Sequence, residues 1–263
     1  MLENLIPASE NNSLRQVVAT IFCQGPLIDP KRYQKFLNKL NYQRFEILKT
    51  ETLKLNVGDN QIQDRTERES EERGFRMTSF EKGRLSHLIH VEQVENRKKD
   101  VTKYSFYSFR YEGWENFKKH LITDLFDVLK EDNQFVQAVS LNYANEFLWK
   151  SEDKIPVEAV FNPDAEFISK KFLNSQNTAF LINTDNQCDA YKSIEKVEIG
   201  ISAAKKMIQI NSQLVFEINK IGKFGDLLET KIIEEYFESI HDEIKSHLRQ
   251  SLTENVKQKI NLL

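Results

Sequence analysis

The sequence predicts an α+β fold built from duplicated β-α-β(n)-α modules, with antiparallel, curved sheet carrying long helices on one face and a long helix at the C-terminus. Three observations point there. Two Asx-Pro helix starts, Ile28-Asp29-Pro30 and Phe161-Asn162-Pro163, each follow an apolar run and each lead into several strands. The strand candidates alternate apolar and polar residues, as antiparallel strands with one buried and one wet face do; a parallel sheet covered on both sides would read as continuous apolar runs. Each group of strands then closes on a helix. The expected modules are residues 1–133 and 134–263.

In the first module, Gln16 to Gln24 reads as a strand, and a helix is expected from Pro30 to Leu40. Asp29 can accept from the free N–H groups of its first turn, and Pro30 suits the first helical position, where a missing N–H costs nothing. Tyr33, Phe36, Leu37 and Leu40 form its buried stripe. Arg44 to Val57 reads as a strand, and Asp59 to Gly74, dense in both signs of charge, as a solvated loop or long hairpin tip. Strands are expected near 75–82, 85–95 and 103–111, then a helix from Trp114 to Lys130. In the middle strand His87 and His90 fall on opposite faces.

The second module opens with a strand from Val136 to Trp149, and Asn162 is expected to cap a helix running to Leu173. Ile28 and Phe161, each just before its cap, are read as hydrophobic staples. Strands follow at 178–184, 192–202 and 206–220. Asp226 and Glu229 suggest a capping box for a final helix reaching Ile260. Its stripe (Ile233, Phe237, Ile240, Ile244, Leu248, Leu252, Val256, Ile260) steps by three or four throughout. Seven acids and one base from Asp226 to Glu243, against one acid and four bases from Ile244 to Ile260, complement the helix dipole. Such a helix would span roughly 50 Å. Its far end is expected to pack on the first module or on another chain.

Composition excludes several classes of function. A net charge of −3 gives no pull towards nucleic acid or an anionic membrane. The opening MLENLIPASENN lacks the basic and apolar regions of a secretion signal, and no apolar stretch reaches the roughly 20 residues of a membrane span. Cys23 and Cys188, a lone and distant pair, read as reduced thiols. A cytoplasmic protein is expected. There is no P-loop, no G-x-S-x-G and no G-x-G-x-x-G, and the cysteines and histidines do not cluster at zinc spacing. No cofactor is expected. His241 and His247, six apart on a helix, diverge by about 120°.

Two constellations carry some chemistry. Glu234, Glu238 and His241, at i, i+4 and i+7, put two carboxylates and an imidazole on one helix face. Glu238-x-x-His241 has the spacing of half a di-iron carboxylate site, which needs a second E-x-x-H that this chain lacks. A solvated helix flank is the plainer reading. The aromatic strand Lys103 to Tyr111 (KYSFYSFRY) with Trp114 could stack bases, and residues 75–120 hold ten bases and six acids. Large aromatics mostly serve burial, so the core is the plainer reading here too.

Three segments together are familiar. Phe106 to Leu121 (FYSFRYEGWENFKKHL), Val139 to Phe147 (VSLNYANEF) and Tyr236 to Lys257 (YFESIHDEIKSHLRQSLTENVK) resemble an uncharacterised, sporadically distributed bacterial and archaeal family of about 250 residues with no assigned activity. Tyr143 and Asn145 match its strand, with Asn142 and Ala144 where it has Arg and Ile; His241 matches its final helix. The resemblance implies an architecture and no reaction. The patchy occurrence of the family implies an accessory role, as in anti-phage defence or toxin–antitoxin loci.

The reading that follows is a non-enzymatic binding or regulatory module. It would recognise a protein partner, or a second copy of itself, through an exposed sheet or the C-terminal helix. Tyr143, Asn145 and His241 are its candidate binding residues. The alternatives are a nucleic-acid-binding module using a concave sheet and a metal-dependent enzyme around Glu234, Glu238 and His241.

Overall fold

The computed structural model describes residues 2–9, 12–27, 29–54, 57–58, 61–62, 67–96 and 99–262. Ile28 and residues 59–60 and 63–66 of the charged stretch lie outside them. The molecule is α+β, with one large antiparallel sheet and its helices on a single face.

The chain runs β1 (Leu5–Pro7), β2 (Leu14–Gln24), a 3-10 helix (Pro30–Lys35), α1 (Phe36–Lys39), β3 (Arg44–Lys54) and the small pair β4 (Val57–Gly58) and β5 (Gln61–Ile62). It continues through β6 (Glu67–Glu81), β7 (Arg84–Asn96) and β8 (Lys99–Ser108). Helices α2 (Trp114–His120) and α3 (Phe126–Asp132) are joined by a π-helical turn, Leu121–Leu125. Next come β9 (Phe135–Trp149), α4 (Val157–Val160), α5 (Lys170–Leu173), β10 (Asn177–Gln187), β11 (Tyr191–Ser202) and β12 (Met207–Lys223). The chain ends in α6 (Phe224–Glu229), α7 (Ile232–Ser251) and α8 (Glu254–Lys259).

The sheet order is β10-β11-β12-β9-β2-β8-β7-β6-β3, with β1 also on β9, and every pairing is antiparallel. On each side of the central β9–β2 pair, the first strand lies beside the last strand of its half, and the second strand lies outermost. Alternation decides the faces. Val17, Ala19 and Ile21 on β2 pair with Tyr143, Leu141 and Val139 on β9, and all are buried under the helices. Asn142 pairs with Val18 and Gln213 on the other, partly solvated face.

One core gathers the inner residues of β2, β6, β7, β8, β9 and β12 under Tyr33, Phe117, Leu125, Phe237 and Ile240. A second lies under α4, α5, the end of α7 and α8, with Ile199, Ile201, Ile208 and Ile210 as its floor. A fully buried Phe or Ile contributes ~1.5–3 kcal/mol, so these clusters dominate stability.

Several expected elements change. Asp29 accepts from the Lys31 N–H at 3.0 Å as a cap should, but it starts a 3-10 helix that becomes α-helical only at Phe36. Asn162 caps no helix: its side chain accepts from the Asp164 N–H at 3.1 Å in a turn, and Ser169 caps the four residues of α5. Part of the charged stretch, from Glu67, is strand β6 paired with β3.

The final helix is broken twice. Lys231 takes a left-handed conformation (φ 60°) between α6 and α7, and Asp226 lies inside α6 instead of capping it. Leu252 is extended and bridges Phe161. Thr253 bonds the carbonyls of Val160 and Ala159, at 3.0 and 2.7 Å. These bonds, with Leu252 fully buried, outweigh helix continuation at that point. The whole stripe from Ile233 to Ile260 is buried within the chain, so it offers no free apolar face to another molecule.

Candidate functional site

Strand alternation puts Tyr143 and Asn145 on the helix-covered face of β9, and α7 crosses β9 so that His241 meets Tyr143. The Tyr143 hydroxyl and His241 Nδ1 share a hydrogen bond of 2.6 Å. Gly113, at φ 118°, a conformation that favours glycine, turns the chain into α2. Trp114, the first residue of that helix, then lies flat on His241, with ring centroids 4.2 Å apart and planes 3° from parallel. Its indole N–H donates to Glu238 Oε2 at 2.6 Å, and Lys118 Nζ bonds Oε1 of the same carboxylate at 2.5 Å.

A cleft of about 1210 Å³ opens beside this cluster. It is walled by the loop between β1 and β2, the β6–β7 turn, residues 109–114, α7 and residues 260–262. The β6–β7 turn is Lys82-Gly83, with φ 49° and 75°, the two-residue form whose positive φ values match strand twist. It presents Arg84 and Leu85 to the cleft. In the facing loop, Asn12 accepts from the Leu14 N–H at 2.9 Å and donates to the Tyr111 carbonyl at 3.1 Å, tying β2 to the segment after β8. Ser13 donates to Asn145 Oδ1 at 2.8 Å, and Asn145 Nδ2 reaches the Ile210 carbonyl at 3.4 Å.

Burial pushes His241 down to about 4, with Lys245 adding to that effect and Asp242 and Glu238 opposing it, so it is neutral at pH 7. Burial likewise holds the Tyr143 phenol well above its usual range, and lifts Tyr111 to about 12 against a hydrogen bond with Tyr143. Burial alone would raise Glu238, but the bonds from Lys118 and Trp114 outweigh it and keep its carboxyl below the usual value. The inner wall is therefore an uncharged hydrogen-bonding surface, and charge sits at the rim.

Tyr143, Asn145 and His241 all line this one cleft. Asn145 acts there as a tie between β2, β9 and β12, since both ends of its amide have partners in the chain. Glu234 does not join them. Among the described residues no group of three or more His, Cys, Asp or Glu side chains could hold a metal ion, and Glu238 is committed to Trp114 and Lys118. Nor does the aromatic strand form an open platform: Tyr104 and Phe106 are fully buried, while Phe109 and Tyr111 line the cleft. His87 and His90 do face opposite ways, His87 stacking on Phe106 and His90 beside Tyr107. His247 turns away from His241 to Glu195.

Sequence reasoning missed Asn12, Arg84 and Tyr111 as neighbours of Tyr143. Only the lateral order β9-β2-β8-β7 brings them together, and no local pattern encodes that order. Among the described residues no helix is long and apolar enough to cross a membrane. No protein-family model, no curated protein and no solved structure matches the chain.

Proposed function

We propose that the chain is a binding module that holds a segment of a protein partner in the cleft beside Tyr143 and His241. The observation that carries this reading is the size and shape of the cleft. Small-molecule pockets usually measure about 300–1,000 Å³, and this one is larger, at about 1210 Å³. It reaches from Arg84 on β7, past Phe109 to Tyr111 just after β8, to Leu14 on β2 and Tyr143 on β9, three strand spacings or roughly 14 Å. That length takes about four extended residues. Its inner wall is polar and uncharged, a surface that takes a peptide backbone without demanding one charge. The repeated strand order on the two sides of β9–β2 supports reading the halves as a duplication, with the cleft where the first half meets α7.

The test is site-specific photocrosslinking in a lysate of the source cells. A benzoylphenylalanine replacing Phe109, which lines the cleft, is expected to capture a discrete protein that the same group replacing Asn183, on the outer strand β10, does not. Equal capture at both positions, or none at Phe109, removes the reading.

A further inference from the structure

The charges around the cleft are not those of the rest of the molecule. Four bases and two acids line it, a surplus of two positive charges in a chain whose net charge is −3. Both acids are already satisfied, because Arg110 bonds Glu81 at 2.6 Å and Glu112 at 3.0 Å. Lys82, Arg84 and Lys245 have no ion-pair partner among the described residues. Lys82 in the β6–β7 turn and Arg84 just after it stand on one side, and Lys245 lies on α7, one helical turn beyond His241. Unpaired cations at a concave surface attract anions and speed their encounter, and Arg adds a fork suited to carboxylate.

We infer that the segment held in the cleft is acidic, with carboxylates meeting Arg84 and Lys82 on one side and Lys245 on the other, and its backbone lying along the neutral Tyr143–His241 wall. This rests on the proposed binding role and gives it a ligand class. Leu85, 37% exposed inside the cleft, offers contact to an apolar residue between the acids.

Panning a phage-displayed random octapeptide library on the immobilised full chain tests the inference. The recovered peptides are then measured by fluorescence anisotropy against two variants of matched circular dichroism and melting temperature. One is Arg84→Glu/Lys245→Glu; the other is Ala8→Trp, which places a large side chain into the cleft from an exposed loop position. The expected result is a pool enriched in Asp and Glu, bound at least tenfold more weakly by the charge-reversed chain and by the filled cleft, and weakened again at high salt. Neutral or basic peptides lost only on Ala8→Trp would overturn the acidic class and leave the binding role standing. Peptides bound equally by Ala8→Trp, or no recovered peptide, would overturn both.

Discussion

Tyr143 and His241 constrain each other chemically. The phenol and Nδ1 share a hydrogen bond, burial disfavours the charged imidazole, and Trp114 covers the ring that would otherwise meet water. A histidine whose folded value is depressed binds fewer protons than the same residue unfolded. Stability from this site is therefore fully present above the ordinary value of 6.5 and is lost as pH falls towards 4. His87 is depressed in the same way, so the His241 share must come from a difference. Between pH 7.5 and 4.5, denaturant unfolding of the natural chain is expected to lose roughly 2–3 kcal/mol more than that of His241→Gln. Equal pH slopes for the two would mean that the imidazole is not held neutral by its surroundings. Tyr143 and His241 stand out in the sequence only as polar residues matching the segments of the family resemblance, and their contact with each other could not be read there. Trp114, brought onto His241 by the crossing of α2 and α7, could be seen only as part of a helix entry.

At the scale of elements, periodicity located what it could and missed what tertiary contact decides. The alternation in β11 and β12 survives intact, with Val197, Ile199, Ile201, Ile208 and Ile210 all buried. The C-terminal stripe is equally intact in its burial, yet the helix carrying it breaks at Lys231 and Leu252. Stripe spacing says which residues go inward, whereas the Phe161 bridge that stops the helix comes from a segment 91 residues earlier in the sequence. The β6–β7 pairing depends on a different local fact. A Cβ at Gly74 would stand 2.1 Å from the Val91 carbonyl oxygen and 3.0 Å from Glu92 Cα, both backbone atoms that cannot swing aside. Gly74→Ala is therefore expected to push β6 off β7 and cost about 1–3 kcal/mol of stability. Unchanged melting, with unchanged amide protection on the two strands, would show that the close approach is not there.

The molecule as a whole turns on the β2–β9 pairing, which joins the two halves edge to edge in one sheet. Their helices do not divide at that seam. Ile233, Phe237, Ile240 and Ile244 of α7, from the end of the chain, share one cluster with Val17, Ile21, Phe106 and Leu125 from its beginning. Leu214 and Phe216 on β12 belong to the same cluster. The sequence suggested modules at 1–133 and 134–263 because each carries a full set of strands and helices, but local patterns are silent about whether two such sets share a core. A shared core makes separation expensive: parting the halves would expose inner faces on both sides of the seam and leave the β2 and β9 backbones unpaired, and newly exposed apolar area costs ~25 cal/mol per Å². Scanning calorimetry of the full chain is accordingly expected to give one transition whose calorimetric and van 't Hoff enthalpies agree, with residues 134–263 alone showing no cooperative transition. Two resolved transitions, or a cooperative fold from the second half by itself, would mean that the halves are independent units and that the cluster around Phe237 is an interface between them instead of a common core.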